Sequence, residues 1–303
     1  MRRYLAFLIC TLSAFRALAW NSYGHEVVAY VAWQQMTPEA RQTCSTILKA
    51  MPHYAQEFDE APGPNHDMHV FMKAATWPDM VRSPQFPDEV TDGHSTWHYI
   101  DEPITPTHMP ATQPEMGPPA TEPTNALQAL DLERHILNDK DADPIARAKA
   151  LCWVLHLVGD LHQPLHCVSL FDADFPQGDK GGNSIRLRNS DVARNLHGLW
   201  DGLLGQRGDL DAVAKTADES TTEFSAGVAE QAKDLKVEDW IKEGQKLAQT
   251  VVYEGLELNS SGELLTNVNR TSVTPDRNYL RRARDTARRQ VVLAGDRLAG
   301  FLK

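Results

Sequence analysis

The segment Leu155-His-Leu-Val-Gly-Asp-Leu-His-Gln-Pro-Leu-His166 decides how the rest of this 303-residue chain is interpreted. His156 and Asp160 are four residues apart on a predicted helix, so they lie on one face, about one turn apart, and can bind one cation. Pro164 ends this helix, and the last histidine follows on a fixed bend that can point it toward a second ion. The segment therefore predicts metal ligands presented by a helix.

The segment Asn195-Leu-His-Gly-Leu-Trp-Asp201 repeats the arrangement, because His197 and Asp201 are again four residues apart on a predicted helix. Two such helices that face each other in a bundle form a pocket rich in nitrogen and oxygen ligands. Imidazole and carboxylate without thiolate suit a catalytic zinc. One His-x-x-x-Asp pair is usually a surface pair, but two pairs, with a third histidine at His166, favour a metal centre.

Two shorter segments each place a ligand type beside an aromatic residue. In the first, Asp79 lies two residues after a tryptophan, and Arg82 follows three residues later. In the second, His98 comes directly after a tryptophan, and Asp101 follows three residues later. Asp79 and His98 are thus further candidate ligands.

Of the twelve histidines, six have no place in this pattern. We expect these six in surface loops or on solvated faces: His53, His66, His69, His94, His108 and His135. His162 is adjacent to the ligands in the sequence and is a candidate for the outer shell that supports them.

Helical periodicity and capping signals recur along the chain, whereas strand signals are few and short. Thr37-Pro38-Glu39 and Asp143-Pro144 each place a proline at the first position of a helix. We predict one mainly α-helical domain, residues 20–303: a multi-helix bundle with long loops and at most a short β-hairpin near residues 185–188. The predicted helices cover residues 24–36, 38–51, 69–75, 125–137, 143–161, 195–204, 209–231, 238–254 and 276–302.

The N-terminus has the pattern of a signal peptide. Arg2 and Arg3 precede a short apolar run, and Ala17-Leu18-Ala19 is a small-x-small cleavage signal. We expect cleavage after Ala19, a secreted or periplasmic protein, and Trp20 as the first mature residue.

The net charge is unfavourable for a protein that binds nucleic acid through a basic face. It is −11 with histidine neutral, and removal of residues 1–19, which carry three arginines and no acids, makes it −14. Binding of nucleic acid would therefore need positive charge from elsewhere, and bound divalent metals can supply it.

The cysteines and sequons leave the processing of the chain open. Cys44, Cys152 and Cys167 follow the signal peptide and allow one disulfide plus one thiol, or no disulfide. The glycosylation sequons at Asn259 and Asn269 have a meaning only if the source is eukaryotic.

Together these segments resemble the S1/P1 nuclease family of zinc-dependent enzymes and, more distantly, the bacterial zinc-dependent phospholipases C that share its fold. The resemblance covers most of residues 20–303 and implies a mainly α-helical bundle of the phospholipase C/P1 nuclease type. It rests on these motifs in combination: Trp20 to His25, Trp77-Pro78-Asp79, Trp97 to Asp101, His156 to His166, Gly181 to Ile185, Asn195 to Asp201 and Ala294 to Ala299.

The resemblance implies three zinc ions, Zn²⁺. Their ligands would be Asp79, His98, His156 and Asp160 for the first ion; His166, His197 and Asp201 for the second; and His25, Asp160 as a bridge, and the α-amine and carbonyl oxygen of Trp20 for the third. The third set explains why residues 1–19 must be removed, because a free amine is a good ligand and an amide nitrogen is not.

The resemblance also implies a phosphodiesterase that cuts single-stranded DNA or RNA, and 3′-nucleotides, to 5′-phosphorylated products, using a water whose pKa zinc lowers. Arg82 would neutralise the phosphoryl and departing 3′ oxygens, and Asp101 would orient or deprotonate the water. Tyr99 would stack on a base, and Asn183 is a further candidate for substrate binding. The protein is expected to be a monomer that does not insert into a membrane.

Three alternatives stay open at this point. A phospholipase C of the same fold would use the same metals, although the Gly181-Gly182-Asn183 loop and Asp201 favour the nuclease. A secreted zinc-binding protein without turnover would not need Arg82 or Asp101. A specialised 3′-nucleotidase that acts mostly on mononucleotides is also compatible with the sequence.

Overall fold

A computed structural model of the protein describes residues 20–58, 63–83, 90–104, 123–172, 174–188, 192–254 and 272–303. The expected signal peptide, both sequons and His108 lie outside these ranges.

The described ranges are mainly α-helical, as the sequence predicts. The helices are α1 (Ser22–Gln35), α2 (Pro38–Leu48), α3 (Tyr54–Glu57), α4 (His66–Ala74), α5 (Trp77–Met80), α6 (Ala126–Asn138), α7 (Pro144–Asp160), α8 (Pro164–Cys167), α9 (Leu196–Asp201), α10 (Leu210–Val228), α11 (Val237–Leu247) and α12 (Arg277–Phe301). A π-helical turn at Ala248–Val252 extends α11, and 3₁₀ turns occupy Val90–Gly93 and Gln231–Lys233.

Two predicted helix starts are confirmed by their caps. The Thr37 hydroxyl accepts a hydrogen bond from the Ala40 amide at 3.2 Å, ahead of α2. The Asp143 carboxylate accepts one from the Ala146 amide at 3.0 Å, ahead of α7. In both helices a proline occupies the first turn, where its missing N–H costs no helical hydrogen bond.

The strands are short and pair over long distances in the chain. Strand β1 (Glu102–Ile104) runs parallel to β2 (Val168–Leu170), and β3 (Arg186–Leu187) runs parallel to β4 (Ser272–Val273). Arg186 also forms an isolated antiparallel bridge with Asn195. Residues 185–188, where the sequence predicts at most a hairpin, thus also pair with a remote strand.

Helix α7 is the centre of the bundle. Every residue from Ala150 to Asp160 is buried, and the helix contacts α1, α2, α4, α5, α6 and α12. A helical stretch that is buried on all sides needs an apolar surface all round, which Ala150–Asp160 has except for His156 and Asp160. His156 and Asp160 are therefore carried into the core of the protein.

Helix α1 packs most extensively on α12 and also contacts α4, α7 and α10. A Cβ atom at Gly295 of α12 would lie 2.4 Å from Val31 Cγ1, so only glycine allows the two helices to approach this closely. This packing holds Trp20 and His25, at the start of α1, in the protein interior.

Two further properties concern the described residues. None of their helices combines the length and apolar character required to cross a membrane. Cys44, Cys152 and Cys167 are buried and form no disulfide with one another, so the option without a disulfide applies to these three. Burial raises the pKa of the Cys44 and Cys167 thiols to about 12.

Candidate metal centre

Eight predicted metal ligands meet in the structure. Their ligand atoms form three groups, and the atoms of each group lie within 4.8 Å of one another: His25, His156 and Asp160; Asp79, His98 and His156; and His166, His197 and Asp201. The first two groups share His156, and we call their five residues the Asp160 cluster. The third group is the Asp201 cluster. Side chains from α1, α5, α7, α8, α9 and the segment before β1 thus converge as the sequence predicts.

Asp160 lies between the two halves of its cluster. Its Oδ1 atom is 3.3 Å from His25 Nε2, and its Oδ2 atom is 3.2 Å from His156 Nε2 and 3.3 Å from His98 Nδ1. Each oxygen therefore faces a different set of imidazoles. Asp160 can therefore offer one oxygen to each of these two sets.

Asp79 completes the other side of the Asp160 cluster. Its Oδ1 atom lies 3.8 Å from His98 Nδ1 and 3.2 Å from Arg82 Nη1. A Cβ atom at Gly93 would lie 2.6 Å from Arg82 Cγ, so the glycine makes room for the arginine. Arg82 is thereby held next to the cluster, where its charge can act on an anionic ligand.

The Asp201 cluster is formed by α8 and α9. His166 Nε2 is 3.9 Å from Asp201 Oδ1, and His197 Nε2 is 3.6 Å from Asp201 Oδ2. The buried side chain of Gln163 donates a hydrogen bond to Asp201 Oδ1 at 2.8 Å and accepts one from the Leu165 amide at 2.7 Å. Gln163 thus connects the start of α8 to the carboxylate on α9.

Backbone carbonyl groups fix the orientation of three imidazoles. His156 Nδ1 bonds to the Ala75 oxygen at 2.8 Å, His197 Nδ1 to the Gly181 oxygen at 2.6 Å, and His166 Nδ1 to the His98 oxygen. A proton on Nδ1 leaves a lone pair on Nε2 of each ring. Nε2 of His166 and of His197 has no hydrogen-bond partner, and Nε2 of His156 lies 2.9 Å from His98 Nδ1.

The fit of this donor set to metal ions can be tested on its unsatisfied atoms. Within the described part of the chain, six buried ligand atoms have no hydrogen-bond partner: both ring nitrogens of His25, both carboxylate oxygens of Asp160, and Nε2 of His166 and of His197. Buried polar atoms are normally paired, so this group of unpaired ring nitrogens and carboxylate oxygens fits a set of ligands for bound cations. Divalent cations with a preference for imidazole and carboxylate satisfy it.

The pKa values of two of the histidines agree with this fit. Burial lowers the pKa of His25 to about 4 and that of His197 to about 3. Both imidazoles are therefore neutral at pH 7, which is the form that binds metal.

Trp20 is fully buried next to the Asp160 cluster. Its indole Nε1 donates a hydrogen bond to the Gly159 oxygen at 3.0 Å. A Cβ atom at Gly159 would lie 2.8 Å from His25 Nδ1, and one at Gly24 would lie 2.8 Å from Trp20 Cβ. The two glycines thus let Trp20 and His25 lie against the end of α7.

A cleft of about 800 Å³ opens above both clusters. The four side chains proposed from the sequence for chemistry and substrate binding, Arg82, Tyr99, Asp101 and Asn183, all line it. His98, His166 and His197 form part of its floor. The structure therefore places the predicted substrate residues and three of the predicted metal ligands around one space.

Asp101 and Asn183 differ in whether other residues of the cleft already occupy their side chains. Desolvation at the cleft wall, followed by the nearby carboxylate of Asp179, raises the pKa of Asp101 to about 6, against the effect of Lys180. The Asn183 amide nitrogen donates to the Lys180 oxygen at 2.9 Å, and its oxygen accepts from Asn195 at 3.3 Å. Asp101 is thus suited to proton transfer near neutral pH, whereas Asn183 also holds the cleft loop.

Sequence reasoning missed two cleft residues. His94, expected in a surface loop, is exposed but lines the cleft and stacks on Trp97 with a ring-centroid distance of 3.7 Å. Lys180 lines the cleft directly before the Gly181-Gly182-Asn183 motif. The two glycines predict a loop at this position. No sequence pattern, however, indicates which residue next to the glycines faces the cleft.

The expectation that His162 supports the ligands is wrong. Its Nδ1 bonds to the Val158 oxygen at 2.7 Å, and its Nε2 lies 3.0 Å from Nη1 of the buried Arg297, which pairs with Glu243. His162 follows the end of α7 and turns away from the metal ligands toward α12. Four other histidines outside the clusters are exposed or half-buried, as expected: His53, His66, His69 and His135.

Comparisons with known proteins identify related sequences. A family profile described as S1/P1 Nuclease matches residues 20–303. The chain is 26% identical over 239 residues to Nuclease S1 of Aspergillus oryzae, an alignment that covers 77% of this chain and 73% of the relative. It is 25% identical to Endonuclease 4 of Arabidopsis thaliana, covering 65% of this chain and 59% of the relative, and 25% identical to Nuclease P1 of Penicillium citrinum, covering 65% of each. The chain thus spans somewhat less than two thirds of the last two relatives.

Proposed function

Because the chain belongs to the S1/P1 nuclease family, we propose that it is a secreted, zinc-dependent endonuclease that cuts single-stranded nucleic acid. Family membership makes it a hydrolase of phosphodiester bonds. The zinc dependence, the preference for single strands, the 5′-phosphorylated products and the hydrolysis of 3′-nucleotides are our proposals.

The observation that carries the proposal is the convergence of the two ligand clusters on the floor of one cleft. The Asp160 cluster supplies enough donors for two ions that share Asp160, and the Asp201 cluster supplies three donors for another. A purely structural zinc site is closed by its protein ligands, whereas a catalytic site keeps a position open. The cleft above His98, His166 and His197 leaves that position accessible to a substrate.

The third ion would depend on processing of the chain. Trp20 is buried beside His25, so cleavage after residue 19 would place a free α-amine at the Asp160 cluster. We therefore propose that Trp20 contributes its amine and carbonyl oxygen, together with His25 and Asp160.

When bound, the zinc ions would supply Lewis acidity to the phosphate and lower the pKa of an attacking water. Arg82 lies at the cleft wall and suits the charge of the phosphoryl and leaving oxygens. Asp101, with its pKa raised to about 6, can accept or hold the proton of the water. Asn183 can use its remaining amide hydrogen to hold a nucleotide in place.

The preference for single strands follows from Tyr99. This half-buried tyrosine lines the cleft, where its ring can stack on a base. A paired base reaches such a position only after it leaves its duplex, which costs a few kcal/mol. Unpaired strands avoid this cost.

The experiment that tests the proposal measures zinc content by elemental analysis together with cleavage of single- and double-stranded DNA of the same sequence. We expect three zinc ions per processed chain, faster cleavage of the single strand, 5′-phosphate ends, and loss of activity with a chelator. Release of phosphocholine from phosphatidylcholine, with DNA left intact, would instead support a phospholipase C. Bound zinc without turnover of either substrate would support a non-catalytic zinc protein.

A further inference from the structure

Lys180 is a cation of the cleft to which the proposed function assigns no role. Among the described residues that line the cleft, the permanently charged cations are Arg82 and Lys180. Arg82 is already paired with Asp79 at 3.2 Å. The side chain of Lys180 is exposed and forms no ion pair with a described residue. Its charge lowers the pKa of Asp101 without an ion pair between the two side chains, so it is available to an incoming anion.

The backbone of Lys180 has an unusual conformation. Its φ angle is 58°, in the left-handed region that side chains with a Cβ atom disfavour. Four non-glycine residues in the described ranges have positive φ angles, and three of them, His94, Asp101 and Lys180, line the cleft. Such strained residues persist where the surrounding structure holds them, and they concentrate at functional sites.

The surrounding structure holds Lys180 from both sides. Its amide donates to Ser169 Oγ at 3.0 Å, and its carbonyl oxygen accepts from Asn183 Nδ2 at 2.9 Å. The preceding residue, Asp179, is buried and accepts hydrogen bonds from the Leu170 amide at 2.9 Å and the Tyr253 hydroxyl at 2.8 Å. The base of the lysine side chain is thus fixed before a ligand arrives, which lowers the entropy lost on binding.

The position of Lys180 relative to the clusters indicates which anion it would meet. The next residue, Gly181, accepts the hydrogen bond from His197 Nδ1, so Lys180 stands beside the Asp201 cluster. Arg82 stands beside Asp79, at the Asp160 cluster. The two cations therefore flank the clusters, which would hold the scissile phosphate, from different ends.

We propose that Lys180 binds the phosphate next to the scissile one, on the side of the Asp201 cluster, and so favours oligonucleotides over 3′-mononucleotides. This inference rests on the proposed function. A mononucleotide has no second phosphate and cannot use this contact. Lys180 thus determines which class of substrate is preferred. Arg82 and the predicted metal ligands act on both classes.

The test compares Lys180→Gln with the wild-type enzyme on a single-stranded oligonucleotide and on a 3′-mononucleotide. We expect KM for the oligonucleotide to rise about tenfold, as for loss of one charged hydrogen bond, with kcat nearly unchanged and KM for the mononucleotide changed less than about twofold. The dependence of log(kcat/KM) on log salt for the oligonucleotide should become less steep by about 0.7, the value for one phosphate contact on a single strand.

Two matched variants make the result specific. Lys180→Arg keeps the charge and should restore most of the oligonucleotide KM. Lys140→Gln, which removes an exposed lysine between α6 and α7, should leave both substrates and the salt dependence unchanged.

Equal losses on both substrates, or an unchanged KM and salt dependence for the oligonucleotide, would overturn the inference. Either result could occur while wild-type protein still cuts single-stranded DNA, in which case the proposed function stands. A wild-type protein that cuts neither substrate would instead refute the proposed function itself.

Discussion

The Asp160 and Asp201 clusters use the same His-x-x-x-Asp spacing but are held in place by different means. Asp160 lies at the end of the long, buried α7. Both of its carboxylate oxygens face imidazoles, and neither oxygen accepts a hydrogen bond. Asp201 lies at the end of the six-residue α9, and Gln163 already donates to one of its oxygens. Core packing holds the first carboxylate and leaves both of its oxygens without a donor, whereas a hydrogen bond from Gln163 occupies one oxygen of the second. Under the proposed function, the first carboxylate can therefore serve two ions and the second only one.

The largest expected effect separates the two carboxylates. We expect Asp160→Asn to lose two zinc ions and at least about 10³-fold in kcat, because one residue serves two sites. Asp201→Asn should lose one zinc ion. Zinc per chain by elemental analysis and kcat on single-stranded DNA check both variants. Equal zinc losses would show that Asp160 does not bridge.

The next effect concerns the N-terminus and should lower the zinc content of the Asp160 cluster alone. One residue added before Trp20 of the processed chain converts the α-amine into an amide, so we expect two zinc ions in place of three and about 10²-fold lower activity. Trp20→Phe keeps the free amine and should retain more of the third ion than the extended chain. Unchanged stoichiometry in the extended chain would remove Trp20 from the ligands.

A smaller effect should be confined to the Asp201 cluster. Gln163→Leu removes the donor to Asp201 Oδ1, and loss of such a supporting hydrogen bond typically costs about 10- to 100-fold in metal affinity. Titration with a chelator should therefore remove one zinc ion earlier than in the wild type, with the other two unaffected. If all three ions leave at wild-type chelator concentrations, Gln163 has no part in orienting the carboxylate.

The smallest effect should leave both clusters loaded. Tyr99→Ala removes a base-stacking surface from the cleft, and we expect KM for single-stranded DNA to rise about tenfold, in line with 1–3 kcal/mol per stacked base. Tyr99→Phe keeps the ring and should behave like the wild type. Loss of zinc from the alanine variant would reassign Tyr99 to the support of the ligands.

The sequence was most informative where chemistry and local structure coincide. Thr37 and Asp143 cap helices in both the sequence pattern and the structure, because capping depends on only a few adjacent residues. The spacing of His156 and Asp160 sets their common face in any helix. These features need no knowledge of the rest of the fold.

The sequence was least informative where placement depends on distant contacts. Helices α5 and α8 have four residues each, too few for a periodic pattern, and tertiary packing holds them. Strand β3 pairs with β4, more than 80 positions along the chain, and no local signal encodes that pairing. The prediction for His162 was wrong because the chain turns after Asp160, at the end of α7. This turn directs the His162 side chain toward Arg297 on α12.

The three buried thiols bear on where this fold can assemble. Cys44, Cys152 and Cys167 form no disulfide with one another, so no covalent cross-link joins the described segments at these residues. With pKa values of about 12, Cys44 and Cys167 carry almost no thiolate at neutral pH and offer little to an oxidant. Folding of the described residues therefore does not depend on a disulfide among these three cysteines.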